Sequence, residues 1–335
     1  MTNKNGKNVR PRQKLLISIV APAFNEEKNL NDLYARICEV MVPQKHDFEL
    51  LIVENGSTDN SLALLKELHR KDPRVNYLSF TRNFGHQGGL LAGLEHCRGD
   101  VVISMDADLQ HPPELIPEML RLWEEGYNVV HTKKRSNKTQ FFIRKWINNV
   151  FYYWMKILSG IEMIGQSDYR LLDRQVLDVL CNLPERNKFL RGLTPWLGFS
   201  QTEIMYDPAP RKAGKSKFPF LHLVRLAVDG IFSFSIVPLR TFIFLGLFIS
   251  FGSFGYGLYI LILKMVSVIG VGIDYYVPSG WTTIILLMLF LGGVQLIGIG
   301  MLGEYLGRVY DEVKGRPVYI VKEGSVKIRR NKHIH

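Results

Sequence analysis

The sequence predicts an α/β fold: a parallel, doubly wound sheet, followed by two C-terminal helices able to cross a bilayer. Three observations carry this. Short runs rich in β-branched residues alternate with amphipathic stretches from residue 14 to residue 132, the pattern of successive βαβ units. Polar residues gather just past the ends of those runs. Residues 239–307 are mostly apolar, with one interruption.

The elements follow in order. Residues 14–21, KLLISIVA, read as a buried strand. Asn25, Glu26 and Glu27 open an amphipathic helix with Leu30, Leu33 and Ile37 on one face. Residues 48–53 form a second strand. Gly56, Ser57 and Thr58 make a turn, and Leu62, Leu65 and Leu68 line the next helix. A strand at 75–80, a helix of small and apolar residues at 88–96, and a strand at 101–105 come next. A helix at 113–125 and a strand at 128–132 follow. In such sheets ligands bind beyond the carboxyl ends of the strands, where the strand order switches. Asn25, Glu54, Asn55, Arg82, Asp106 and Asp108 all fall there, which predicts one polar cleft.

Residues 140–158 and 217–234 are aromatic-rich and basic, and read as amphipathic helices suited to a membrane interface, with ordinary core helices as the plainer reading. Two spans, 239–263 and 281–302, reach the roughly 20 apolar residues needed to cross hydrocarbon. The link between them carries one lysine and one aspartate, whereas the flanks hold Arg240, Arg308, Lys314, Arg316, Lys322, Lys327, Arg329 and Arg330. The positive-inside rule therefore puts the α/β domain and both termini in the cytoplasm, at the inner (plasma) membrane. The resulting organisation is a basic N-terminal tail at 1–14, a cytosolic domain at 15–216 and an interfacial helix at 217–236. Two membrane helices at 237–307 and a basic C-terminal tail at 308–335 complete it. Ser253 with Gly257, and Gly303 with Gly307, are small-residue pairs that allow close helix packing.

The net charge is +11, from 42 basic and 31 acidic residues. Because the basic residues flank the spans, they point to anionic lipid rather than nucleic acid. Cys38, Cys97 and Cys181 are few, odd in number and scattered. They fit no disulfide or metal framework and read as reduced core thiols. The first apolar run is too short for a signal sequence.

Chemistry concentrates in residues 101–114, VVISMDADLQHPPE, where an apolar strand runs up to two carboxylates and stops at two prolines. A carboxylate at the end of a buried strand is costly unless neutralised. On extended backbone, Asp106 and Asp108 face the same way. Two hard oxygen ligands with an open remainder suit Mg²⁺ or Mn²⁺ shared with a diphosphate, and Gln110 adds a carbonyl oxygen. A solvated turn after a strand is the plainer reading of the pair. Arg211, Lys215, Ser216 and Lys217 lie in a glycine-containing basic loop suited to phosphate, and Arg135 is a second phosphate candidate. A basic surface tracking anionic lipid would look the same.

Six blocks in order carry a resemblance: residues 20–27 (VAPAFNEE), 53–59 (VENGSTD), 82–85 (RNFG), 106–114 (DADLQHPPE), 168–174 (DYRLLDR) and 211–218 (RKAGKSKF). With the two spans they cover nearly the whole chain. The chain resembles family 2 glycosyltransferases of the polyprenyl-phosphate type, similar to dolichyl-phosphate mannose synthase and most like the bactoprenol (undecaprenyl-phosphate) glucosyltransferases.

The resemblance implies a Rossmann-like nucleotide-sugar domain of the GT-A type. Pro22, Ala23, Glu26, Val53, Asn55 and Arg82 would border the nucleotide, Asp106 would reach it as well, and Asp106, Asp108 and Gln110 would hold the metal. The family usually has two aspartates where this chain has Glu54 and Asn55. Asn55 both donates and accepts, so it still suits uracil. Asp168 matches the catalytic base of many relatives. A lipid phosphate with a second pKa of about 6 is already largely ionised, so Asp168 is either a base or an orienting group. It would also suit the cap of a helix over 170–180.

The expected activity is inverting transfer of a hexose, glucose from UDP-glucose, to undecaprenyl phosphate at the cytoplasmic face, by a homo-oligomer, a tetramer on resemblance. GDP-mannose or a UDP-linked modified sugar are alternative donors. A non-enzymatic, nucleotide-sensing lipid-binding subunit is the alternative of another class. A processive synthase is disfavoured, because a Gln-x-x-Arg-Trp motif and further spans do not occur in the sequence.

Overall fold

A computed structural model of the chain describes residues 14–135, 166–186, 188–207, 237–268 and 280–327. The chain divides into two units: residues 1–225 with 315–335, and residues 226–314.

The first unit is built on one eight-stranded sheet. Its strands are β1 (Leu16–Ala23), β2 (Asp47–Glu54), β3 (Val75–Phe80), β4 (Val101–Ser104), β5 (Val129–Lys134), β6 (Gln166–Asp173), β7 (Gln201–Tyr206) and β8 (Val321–Gly324), in the order β7-β5-β6-β4-β1-β2-β3-β8. Its helices are α1 (Leu30–Met41), α2 (Ser61–Lys71), α3 (Gly85–His96), α4 (Ile116–Glu124), α5 (Arg174–Asn182) and α6 (Leu190–Trp196). The second unit contains α7 (Val237–Val268) and α8 (Trp281–Lys314).

The expected doubly wound core is present. β4, β1, β2 and β3 are parallel neighbours. The chain winds outward from β1 through β2 to β3, then returns to β4 on the other side of β1. This reversal opens a crevice at the C-ends of β1 and β4. Alternate residues of β1 serve opposite faces. Ile17, Ile19 and Ala21 join a core with Leu30, Leu33 and Ile37 of α1. On the other face, a Cβ added to Gly93 of α3 would lie 2.2 Å from Val20 Cγ1. The small residues of α3 are therefore what let it sit directly on the sheet.

The expectation of an all-parallel sheet is corrected. β6 runs antiparallel to both β4 and β5, and β8 antiparallel to β3. β6 falls partly where the sequence suggested a helix over 170–180. Its alternation of apolar and charged residues fills the gap between β4 and β5, burying Tyr169, Leu171 and Leu172. The helix starts only at Arg174, where Asp173 caps it by accepting from the Gln175 N–H at 2.9 Å.

Residues 308–335, read as a tail, are also revised. Residues 308–314 continue α8, and 321–324 form β8 on the edge of the sheet. Tyr319 stacks on Phe80 with ring centroids 5.2 Å apart, and its hydroxyl donates to Glu95. The returning segment covers an edge that would otherwise expose unpaired backbone.

In the second unit, α7 and α8 are long and apolar enough to cross a membrane. They pack closely at Gly298, where an added Cβ would lie 2.4 Å from the Phe242 ring. Gly303 and Gly307 have no such neighbour within 4 Å. The segments at 140–158 and 217–234 lie outside the described residues.

Candidate active site

Three chain segments meet at the crevice. The first is the turn after β1. Asn25 adopts a left-handed φ of 57°, which asparagine tolerates. Its Oδ1 accepts from the Thr58 N–H at 2.8 Å, and its own N–H donates to Ser57 Oγ at 3.0 Å. The loops after β1 and β2 are thus tied together. Gly56 closes this corner with φ 69°, and a Cβ there would lie 2.4 Å from the Arg82 carbonyl carbon. Glycine is required on both counts.

Buried Asn55 links β2 to α3. Its Oδ1 accepts from the Phe84 N–H at 2.9 Å and its Nδ2 donates to the Gly85 carbonyl at 2.9 Å. Much of its hydrogen-bonding capacity, expected to meet a base, goes instead to holding the residues before His86. Glu54 is buried beside it, accepting from Ser79 Oγ at 2.6 Å and from the Ser57 N–H. Arg82 lies over the Phe84 ring at 4.1 Å.

The second segment follows β4. The strand stops at Ser104, so Asp106 lies just beyond it and Asp108 stands on the turn that follows. Asp108 Oδ1 accepts from the Gln110 N–H at 3.1 Å, and the buried Leu109 takes a left-handed φ of 62°. Such a conformation at a bulky residue persists only where the surroundings enforce it. His111 does part of the enforcing. Its Nδ1 accepts from the Asp106 N–H and its Nε2 faces Ser167 Oγ, each at 2.9 Å. This pattern requires the neutral, Nε2-protonated imidazole. Burial first, then the nearby Lys134, brings the His111 pKa down to about 4.

The third segment is β6. In the β4–β6 ladder Ser104 pairs with Arg170, and continuing that register sets Asp168 across from Asp106. Ser104 Oγ fixes the approach by donating to the Asp168 carbonyl at 2.6 Å. Asp168 is 3% exposed. Arg170 Nη2 donates to its Oδ1 at 2.8 Å, Arg191 Nε to the same oxygen at 3.0 Å, and Arg191 Nη2 to Oδ2 at 2.6 Å. Arg170 is itself buried and also donates to the Leu190 carbonyl and Thr194 Oγ1.

His86 Nε2 lies 3.5 Å from Asp106 Oδ1 and 3.4 Å from Asp168 Oδ2. The two carboxylates differ electrostatically. Burial raises the pKa of Asp106, and the neighbouring Asp168 adds to this while His86 opposes it. Burial would raise Asp168 too, but His86, Arg191 and Arg170 outweigh it and hold it well below the usual carboxylate range. Glu26 borders the same cleft, with its pKa raised by burial and then by Asp108, Asp59 and Asp106, against a hydrogen bond from Asn29.

The donor set fits a hard divalent cation in one respect. Asp106 Oδ1 is buried without a hydrogen bond, and so is Gln110 Nε2, whose amide turned over would present its oxygen. Among the described residues no group of three or more His, Cys, Asp or Glu is arranged to hold a metal. A cation at Asp106 and Asp108 would need its remaining ligands from a substrate.

Of the expected phosphate residues, Arg135 is exposed and pairs with Asp207 at 3.3 Å. Its neighbour Lys134 is the one whose charge acts on Asp106 and His111. Arg211, Lys215, Ser216 and Lys217 lie outside the described residues. Pro22, Ala23 and Val53 sit at the C-terminal ends of β1 and β2. Reading the sequence missed His86, Arg170, Arg191 and Lys134 as site residues. The first two lie in or beside matched blocks, and strand alternation on β6 would have put Arg170 with Asp168. No local signal marked Arg191.

Residues 18–180 match the family model described as Glycosyl transferase family 2. The chain is 41% identical over 308 residues to an uncharacterized glycosyltransferase of Synechocystis, covering 92% of this chain and 95% of that one. It is 40% identical over 310 residues to the bactoprenol glucosyl transferase of Shigella phage SfII, covering 92% and 97%. Among solved structures it is similar to the mannosyltransferase PcManGT of Pyrobaculum calidifontis in complex with GDP-Man and Mn²⁺. That match has a TM-score of 0.46 and 16% identity, over 68% of this chain and 66% of that one.

Proposed function

The chain belongs to glycosyltransferase family 2, and from that premise we propose that it transfers glucose from UDP-glucose to undecaprenyl phosphate at the cytoplasmic face of a membrane. The observation that carries this reading is similarity over more than nine-tenths of the chain, apolar C-terminal helices included, to proteins named for bactoprenol glucosyl transfer. α7 and α8 support it by supplying an anchor that keeps a soluble cleft near a lipid acceptor. Assembly as a homo-oligomer, a tetramer, rests on resemblance alone.

In this reading Pro22, Ala23, Glu26, Val53, Asn55 and Arg82 border the nucleotide. Asp106, Asp108 and Gln110 hold Mg²⁺ or Mn²⁺. A divalent cation bound there offsets the charge of the departing nucleoside diphosphate. Lys134, together with Arg135, Arg211, Lys215, Ser216 and Lys217, supplies positive charge for phosphates. A lone pair on the acceptor phosphate forms a bond to the anomeric carbon from the face opposite the leaving group. The bond from that carbon to the β-phosphate oxygen breaks, and its electron pair leaves with UDP. The product is an inverted polyprenyl monophosphate sugar.

The test is sugar transfer by the full chain in detergent. Undecaprenyl phosphate is offered with a panel of radiolabelled nucleotide sugars, each with Mg²⁺, Mn²⁺ or EDTA. Metal-dependent label in the lipid phase from UDP-glucose alone supports the proposal. Label from GDP-mannose instead replaces the donor. Absence of label from every donor, with UDP still binding, rejects the transfer.

A further inference from the structure

Asn55 is a polar side chain only 3% exposed, and a buried amide is costly unless its groups find partners. Its Oδ1 accepts from the Phe84 N–H at 2.9 Å, and its Nδ2 donates to the Gly85 carbonyl at 2.9 Å. One orientation of the amide meets both neighbours, because the first offers a proton and the second a lone pair. An aspartate in its place would accept from Phe84 but set an oxygen against the Gly85 carbonyl. The two bonds grip the two residues that precede His86.

The same turn is specified again by its own residues. Gly85 has a left-handed φ of 82°, and its N–H donates to Asn83 Oδ1 at 2.7 Å. A Cβ at Gly85 would meet nothing within 4 Å, so backbone conformation and not space calls for glycine there. Phe84 packs edge-on against Phe80 with ring centroids 5.7 Å apart.

What this turn delivers is His86, in the first turn of α3. Its Nε2 lies 3.5 Å from Asp106 Oδ1 and 3.4 Å from Asp168 Oδ2, and its side chain is 43% exposed. In the transfer proposed above, the departing diphosphate sits at Asp106. A side chain this close to that carboxylate stands beside the bond that breaks, and it is open to the cleft.

We propose that Asn55 is a positioning residue: it fixes the turn at 83–85 so that His86 stands between Asp106 and Asp168, and its amide does not read the nucleotide base. His86 is the group through which it acts on transfer. This rests on the transfer reaction proposed above. Asn55 still lies at the nucleotide end of β2, but its side chain is turned to α3 and not to the ligand.

The experiment is a double-mutant cycle on the full chain in detergent, with turnover measured at saturating UDP-glucose and undecaprenyl phosphate. Calorimetry supplies the affinities for UDP and CDP with Mn²⁺. Asn55→Asp, which keeps the size of the side chain, should lower turnover roughly 10²-fold by misplacing His86. His86→Ala should fall to a similar level, and the double variant no further, since residues acting as a unit are not additive. The preference for UDP over CDP should stay within about twofold of the parent in Asn55→Asp. A base-reading Asn55 would move that preference and leave turnover at saturation intact, which overturns the proposal. Additive losses in the cycle overturn it too, and so does full turnover in His86→Ala. If Asn55→Asp melts far below the parent, Gly85→Ala takes its place in the cycle, since it disturbs the same turn without a steric clash. If that variant also melts far below, the turn serves stability alone and the proposal falls. A parent chain that transfers no sugar while binding UDP rejects the transfer reaction itself, a result distinct from an additive cycle.

Discussion

Asp106 and Asp168 stand on either side of one imidazole, with His86 Nε2 3.5 Å from the first and 3.4 Å from the second. The β4–β6 register, continued past Ser104, sets them across from one another, yet their carboxylates are poised oppositely. Asp106 keeps a buried oxygen without a hydrogen bond, while the oxygens of Asp168 are gripped by Arg170 and Arg191. Asp106→Asn removes the charge a cation would need, so UDP–Mn²⁺ binding should be lost. A deficit of about 4 kcal/mol in leaving-group stabilisation corresponds to roughly 10³-fold in turnover. Calorimetry and label transfer check the two effects separately. Normal metal–nucleotide binding in Asp106→Asn would remove Asp106 from the ligand set.

Asp168→Asn should act first on stability. It leaves the buried Arg170 guanidinium without its charge partner, a change that typically costs about 3–5 kcal/mol. The folded-state pKa of Asp168 is depressed. Its contribution is therefore present above the unfolded value of about 4 and lost only as pH falls through the lower folded value. Turnover of the parent chain should accordingly show no limb from Asp168 between about pH 5 and 9. Circular dichroism melting and a pH–rate profile on the same preparation test both statements. A limb that disappears in Asp168→Asn, with the melting temperature unchanged, would restore Asp168 as a base.

The alternating core was legible because βαβ periodicity is local. Leu30, Leu33 and Ile37 line α1 as their spacing requires, and the apolar run at 101–104 is β4. The ends of strands were legible too, which is why Asp106, Asp108, Glu54 and Asn55 fall together. What failed was non-local. β6 reads as a helix start because Asp168 is a good cap, and only the gap between β4 and β5 moves the start of the helix to Arg174, with Asp173 as its cap. β8 is four residues long and takes its conformation from the β3 edge, far away in sequence. Arg191 joins the site through Asp168, 23 residues earlier, a contact that no motif spacing encodes.

α3 can be probed through its glycines. Gly93→Ala would put a methyl group 2.2 Å from Val20 Cγ1 and 3.2 Å from Val53 Cγ2. Two strands of the sheet then resist the same atom, and overpacking of this kind costs about 1–3 kcal/mol. Gly88→Ala, on the same helix, meets only Phe84 Cβ at 3.3 Å and the Val318 carbonyl at 3.7 Å. Its loss of stability should be smaller, offset by the better helix propensity of alanine. Thermal melts of the two variants should therefore separate clearly, with Gly93→Ala the lower. Equal melting temperatures would mean that α3 shifts on the sheet without cost.

Acid should weaken the fold well before the carboxylates titrate, because two histidines are buried neutral. Burial lowers the pKa of His111 from 6.5 to about 4, with Lys134 adding to it, and burial with Arg170 does the same at His131. The unfolded chain takes up these protons near pH 6.5, whereas the folded chain resists them until about pH 4. Between those values the unfolded state binds more protons, so stability rises with pH and falls as the medium is acidified. At about 1.4 kcal/mol per pKa unit, each histidine is worth roughly 3 kcal/mol across the window. His131 suits the test, since it faces Gln201 at 2.8 Å on β7, apart from the proposed metal ligands. His131→Gln should flatten the slope of unfolding free energy against pH between about 4 and 6.5 by close to one proton. Denaturant titrations of the parent and variant at half-unit pH steps measure that slope. Parallel curves would show that His131 accepts its proton without unfolding the sheet.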